Sequence, residues 1–155
     1  MQTISTHQFR NELKDFVFWI FDQLGENPYV QVFSEPFGLL VEIDIQNPSR
    51  YIGNQGEGLG LIQHLIKTCF GNKYHPLPQF MVDIGEYKRK QISILKNIAV
   101  SNAIKVRKTA KSVELSPMSP FARRIIHLTL KDHPHCTTHS IGEGEQRRIV
   151  IDLKG

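Results

Sequence analysis

Apolar residues in this chain are never grouped for long, and their spacing switches repeatedly between the helical and the strand period. The longest uninterrupted apolar run, Phe16 to Phe21, is six residues, against the roughly 20 that a membrane-spanning helix needs. A membrane-spanning role is therefore ruled out, and the chain is read as helices and strands packed on one another. Residues 5–24 place Phe9, Leu13, Phe16, Val17, Ile20 and Leu24 on one helix face, with Phe18 and Trp19 off that stripe on opposite sides. A helix that is apolar on more than one face lies deep or meets a second partner. Gly25-Glu26-Asn27-Pro28 stops it.

Two strands are expected next, at residues 29–33 and 39–45, joined by Ser34-Glu35-Pro36-Phe37-Gly38 as a hairpin. In the second, Val41, Ile43 and Ile45 alternate with Glu42, Asp44 and Gln46, the pattern of one buried and one wet face. Asn47-Pro48-Ser49 opens a short helix ending at Ile52, and a longer helix follows at residues 57–70 with Leu59, Ile62, Leu65 and Ile66 as its apolar positions. A third strand is read at residues 79–84 and a long helix at residues 86–108, its apolar face built from Ile94, Leu95, Ile98, Ala99 and Val106. Then come a short strand at residues 112–115, a helix with Ser119 as N-cap and Pro120 at its first position, and strands at residues 136–140 and 147–153. The order is α-β-β-(short α)-α-β, then α-β-α-β-β: an α+β chain in two small domains, residues 1–85 and 86–155.

Composition agrees with a soluble globular chain, at 40% hydrophobic and 22% charged residues. Cys69 and Cys136 are too few for a disulfide framework. The start, Met1-Gln2-Thr3-Ile4-Ser5-Thr6-His7, lacks the basic and apolar regions of a signal peptide. A cytoplasmic protein with no membrane insertion is expected. The net charge of +4 is divided unevenly: residues 1–75 carry five Lys/Arg against eight Asp/Glu, and residues 76–155 carry fourteen against seven. A basic second half suits a polyanionic partner.

Glycines at 53, 56, 58 and 60 fit neither a dinucleotide fingerprint, which needs Gly-x-Gly-x-x-Gly, nor a P-loop, which needs Gly-Lys-Ser/Thr. What remains is Gly53-Asn54-Gln55-Gly56 between two helical segments, after a strand and before a helix and strand. This resembles a KH domain of the N-terminally extended, type II-like kind, in which the loop clamps a single-stranded backbone. Glycines let the main chain approach phosphates, and the N–H groups opening the next helix supply donors. Asn54-Gln55 stand where such loops usually have Lys or Arg, Glu57 lies just behind, and Arg50 is the one cation close by in sequence. Affinity comes mostly from phosphate neutralisation, so this unit is expected to bind weakly alone.

The second motif is Arg123-Arg124-Ile125-Ile126-His127, with Arg123 and His127 adjacent on one helix face. It lies within the run from Leu115 to His127 and is followed by Thr138-His139-Ser140-Ile141-Gly142-Glu143-Gly144 and Arg147-Arg148-Ile149-Val150-Ile151. Together these resemble the nucleic-acid-binding domain named for its Arg-x-x-x-His signature (RxxxH), in the version found in the Jag family (SpoIIIJ-associated, RNA-binding proteins of bacteria), where a KH domain directly precedes it. The resemblance covers the chain from the first helix onward.

It implies three-stranded sheets with helices in both domains, the second packed on two helices. It also implies single-stranded RNA binding with a post-transcriptional role, a link to cell-envelope growth and division, and a small KH-domain partner or a homodimer. Arg123 and His127 would be the signature pair, with Arg124, Arg147 and Arg148 extending the basic surface. Arg89, Lys96 and Arg107, clustered on the long helix with Lys90 and Lys108 at their edge, would add phosphate contacts. Thr138 and Ser140 occupy the strand face opposite His139. Jag proteins often carry a further N-terminal domain and basic linker; neither is read in these residues, so recruitment to membrane or septum through such a segment is not expected.

His133, His135, Cys136 and His139 do not have a known zinc spacing and are read as loop histidines and a small buried thiol, so no metal or cofactor is expected. His127 has no second acid or base at a defined spacing, and the chain is read as a non-enzyme. Two alternatives stay open. One is a KH-mediated protein-docking module, favoured by the neutral loop and by Phe18 and Trp19; the other is single-stranded DNA in place of RNA.

Overall fold

The computed structural model describes residues 5–155; Met1-Gln2-Thr3-Ile4, part of the N-terminal reading above, lie outside them. The chain divides into two compact units, Met1–Arg89 and Lys90–Gly155.

In the first unit, α1 (Thr6–Gln23) starts where Ser5 accepts a hydrogen bond from the Gln8 N–H, a cap worth about 1 kcal/mol. It buries Phe9, Leu13, Val17 and Phe21. The apolar row thus turns toward Phe21, while Leu24, beyond the last helical residue, is exposed. β1 (Tyr29–Glu35) and β2 (Gly38–Asp44) form an antiparallel hairpin closed at Glu35 and Gly38, so the strands run almost to the two-residue turn Pro36-Phe37. β3 (Phe80–Ile84) pairs parallel to β2, in the order β1-β2-β3. A parallel neighbour requires a crossover, here supplied by α2 (Pro48–Ile52) and α3 (Glu57–Gly71). One sheet face packs under α1 and α3 through Val30, Val32, Val41, Ile43, Val82, Leu59, Ile66 and Phe70, with Phe9 edge-on to both Phe70 and Tyr74.

Polar side chains seal this unit. Arg10 donates to the Val32 carbonyl on the β1 edge. Gln63 of α3 accepts from the Val82 N–H at 2.6 Å and donates to the Phe80 carbonyl at 3.3 Å, covering the β3 edge. Both outer edges are thereby blunted against strand addition. Glu12 receives the Lys73 ammonium at 2.7 Å and the Tyr74 hydroxyl, tying α1 to the end of α3. The hydrogen bond to Glu12 holds Lys73 up to about 12, and the Lys73 bond in turn holds the Glu12 carboxyl below its usual range.

The second unit is built on α4 (Tyr87–Thr109), which begins in the first. A short β4 (Val113–Glu114) leads to α5 (Pro120–Leu130), then β5 (Cys136–Ile141) and β6 (Arg148–Leu153). The sheet is antiparallel in the order β4-β6-β5. As expected, Ser119 caps α5 by accepting from the Ala122 N–H, with Pro120 at the first turn.

The face that α4 buries departs from expectation. Ala99, Ala103 and Val106 face the core with Leu95 partly covered, while Ile94 is 59% and Ile98 36% exposed. The three buried residues cluster there with Ile126 and Leu130 of α5 and with Ile149 and Ile151 of β6. Leu65 of α3 is likewise exposed, next in its row to exposed Leu61. Among the described residues no helix is long and apolar enough to cross a membrane.

Candidate nucleic-acid interface

The Arg-x-x-x-His pair is set by α5. Its apolar side, Ala122, Ile125, Ile126 and Leu130, is buried, which leaves Arg123 and His127 half-buried at the rim and Arg124 exposed. Arg123 Nη1 donates to the Met118 carbonyl at 2.7 Å, anchoring one edge of the guanidinium to the loop before the helix. Met118 N–H in turn donates to the Arg147 carbonyl at 3.2 Å, so the backbone carrying exposed Arg147 is pinned to the same loop.

His127 packs across to β5. Its Nδ1 lies 2.7 Å from Thr138 Oγ1 and its Nε2 3.3 Å from Ser140 Oγ. Both hydroxyls lie on the strand face opposite His139, whose Nδ1 instead meets Asp152 at 2.9 Å. Burial lowers the His127 pKa, and the nearby Arg123 charge and His139 lower it further. Both effects favour the neutral ring, and the cationic character of this face is supplied by arginines.

Arg148 is ion-paired with Glu114 and also donates to the Gln146 carbonyl at 3.0 Å. Lys96 and Arg107 are exposed on α4. Arg89 is engaged in the first unit: its guanidinium pairs with Glu42 and lies 5.0 Å over the Phe33 ring. A charge so neutralised has less to offer a phosphate.

The Gly53–Gly56 segment forms a turn of 3-10 helix between α2 and α3. Gly53 (φ 70°) and Gly56 (φ 85°) adopt left-handed conformations, and Gln55 does so at φ 49°. A Cβ on Gly56 would lie 2.8 Å from the Tyr87 ring, and one on Gly58 would strike the Tyr51 carbonyl. Gly58 therefore lets α3 pack against α2. Asn54 and Gln55 are exposed. Gly56 precedes α3 with no side-chain cap, but Glu57 occupies the first turn, where its charge favours the helix and opposes an anion. The Arg50 guanidinium rests 5.6 Å over Tyr51, whose hydroxyl donates to Glu26 at 2.9 Å.

Residues 93–153 match the RxxxH domain family, named for the Arg-x-x-x-His signature, and this span holds α5, β5 and β6 with the Arg123–His127 pair. Three relatives are each called RNA-binding protein KhpB. The protein of Clostridium symbiosum is 33% identical over 66% of this chain and 46% of its own length. That of Bacillus subtilis is 34% identical over 66% of this chain and 50% of its own. The Lactiplantibacillus plantarum protein is 27% identical over 97% of this chain and 48% of its own. The chain is similar to the Jag family. It spans about half the length of the curated relatives it matches. The α-β-β-α-α-β unit followed by the matched domain is consistent with the Jag order of KH and RxxxH domains.

In this Jag-like chain the histidine cluster does not converge. Cys136 is buried with its thiol 3.6 Å from the Ala103 carbonyl, on the strand face opposite His139, and among the described residues no three metal-ligating groups gather. Sequence reasoning missed Asp83. It is buried at the end of β3 and accepts from the N–H groups of Lys88 at 2.7 Å and Arg89 at 2.9 Å, capping α4 from across the Gly85-Glu86 turn. Its position between apolar Val82 and Ile84 in a five-residue strand was the available signal.

Proposed function

We propose that this chain binds single-stranded RNA through the face formed by Arg123, His127, Thr138, Ser140 and Arg147, with Arg124, Lys96 and Arg107 adding charge around it and Arg148 contributing less because of its pair with Glu114. The observation that carries this reading is the convergence of an anchored guanidinium and two hydroxyls on one half-exposed surface. Arginine forks onto phosphates and stacks on bases, and hydroxyls add sequence-tolerant hydrogen bonds. The name of the relatives, RNA-binding protein KhpB, favours RNA over DNA. On this proposal residues 1–85 act as the KH domain, guiding the strand past Arg50 and Gly53-Asn54-Gln55-Gly56, and residues 86–155 as the RxxxH domain. The protein binds rather than catalyses, works in the cytoplasm and acts on RNA after transcription in cell-envelope growth and division.

Fluorescence anisotropy with mixed-sequence single-stranded RNA, the matching DNA and duplex RNA, across a salt series, tests it. Single-strand binding that weakens with salt along a slope of several phosphates is the expected result. No binding at low salt overturns it.

A second reading has its own support: Phe18 (44%) and Trp19 (57%) are exposed, and Trp19 stacks on Phe16, which with Phe70, Cys69, Glu12, Asp15 and Lys73 lines a groove of 350 Å³. On it, the first unit docks another protein, a KH domain or a second copy. Sedimentation as a monomer at micromolar concentration would count against self-docking.

A further inference from the structure

A neutral imidazole carries one N–H and one bare ring nitrogen. His127 sets both against hydroxyls, Thr138 Oγ1 at 2.7 Å and Ser140 Oγ at 3.3 Å. Whichever nitrogen holds the proton, one hydroxyl must donate to the ring and the other must accept from it. The hydroxyl that donates is left with lone pairs only. The one that accepts keeps its own hydrogen to offer outward. The ring thus converts two interchangeable groups, two positions apart on one strand face, into a fixed acceptor beside a fixed donor. All three side chains are partly exposed.

A phosphate oxygen only accepts, so it can satisfy half of this pair. A ribose 2′-hydroxyl both donates and accepts, and it matches the whole of it. We propose that the His127–Thr138–Ser140 cluster reads the 2′-hydroxyl of a nucleotide whose phosphate is held by Arg123, and is the element that tells RNA from DNA. His127 is here a positioning residue, acting through the two hydroxyls. Its surroundings favour the required state: the ring is partly buried, and the Arg123 charge stands one turn earlier on α5. The inference rests on the single-strand-binding reading above and adds the sugar specificity of the same site.

The test uses the full chain and a short oligouridine in three sugar forms, ribose, 2′-fluoro and 2′-deoxy, read by anisotropy at neutral pH. The 2′-fluoro form keeps an RNA-like pucker without the hydroxyl hydrogen. The ribose form should bind about three- to tenfold tighter than the other two, the value of one or two net hydrogen bonds. Thr138→Val with Ser140→Ala should bring the three affinities together, whereas Arg123→Ala should weaken all three in parallel. His127→Leu should abolish the preference, and His127→Gln, whose amide again pairs a donor with an acceptor, should restore part of it. Equal binding of the ribose and 2′-fluoro forms by the unaltered protein, which needs no variant to fold, overturns the inference while leaving single-strand binding intact. So does a preference that survives Thr138→Val/Ser140→Ala, or one that follows the base rather than the sugar when oligoadenosine is substituted. Failure to bind any single strand overturns the underlying RNA-binding reading instead.

Discussion

The two halves of the molecule use polar side chains in opposite ways. In the first, Arg10, Gln63 and Asp83 turn onto the unit's own backbone, at two strand edges and at the start of α4. In the second, His127 is held against the Thr138 and Ser140 hydroxyls at a partly exposed surface, beside an Arg123 guanidinium that the Met118 carbonyl anchors by one edge. A polar group buried against backbone stabilises a fold because an unsatisfied partner would be costly. One that is held but still partly exposed is preorganised for a ligand. By this comparison the Gly53–Gly56 loop, with neutral Asn54 and Gln55 and with Glu57 in the following turn, contributes shape, while the second unit contributes charge and hydrogen bonds.

The largest effect should come from the first kind of residue. Asp83→Ala leaves the Lys88 and Arg89 N–H groups without their acceptor and should lower unfolding free energy by about 2–3 kcal/mol. Chemical denaturation measures this, and a change under about 0.5 kcal/mol, the range of ordinary surface substitutions, would remove Asp83 from the comparison. Arg123→Ala should leave stability nearly untouched but weaken RNA binding about tenfold and reduce the salt slope by about one.

Placing two carboxylates in the loop, with Asn54→Asp and Gln55→Asp, should weaken binding less than about threefold, on the scale of a single peripheral phosphate contact. This pair is a cleaner probe than Gly56→Asp, which would also press a Cβ against Tyr87. If the loop variant weakens binding more than Arg123→Ala, the division of labour fails.

The smallest effect is a pH dependence. The folded His127 pKa lies below its ordinary value, so the folded state resists a proton that the unfolded chain accepts. The associated stability is fully present above about pH 6.5 and is lost as pH falls from there through the lowered folded value. His127→Gln should flatten that part of the stability profile, as denaturation midpoints across pH would reveal.

Element order was legible because each change of hydrophobic period marks a change of element. The placement of Thr138 and Ser140 opposite His139 followed from strand alternation alone. The inward face of α4 was not legible. Its large apolar residues, Ile94, Ile98, Val100 and Ile104, are exposed, and the stripe that packs is the one with Ala99, Ala103 and Val106. Periodicity shows that a helix has faces and leaves open which one the tertiary structure takes. The bonds of His127 to two hydroxyls were hidden for a related reason: they require a helix and a strand to meet at one register. Asp83 looked like any acidic residue in a strand until the turn behind it brought two amides back to its carboxylate.

The helices that seal the first sheet have a consequence for synthesis. Chain growth delivers α1 before β1 and α3 before β3, so Arg10 and Gln63 have already left the ribosome when the strands they cover appear. Neither outer edge has to wait for later residues to protect it. The one interval of exposure belongs to the inner side of β2, from the moment the hairpin closes until β3 slots in beside it, and that interval is set by the time taken to translate the crossover helices.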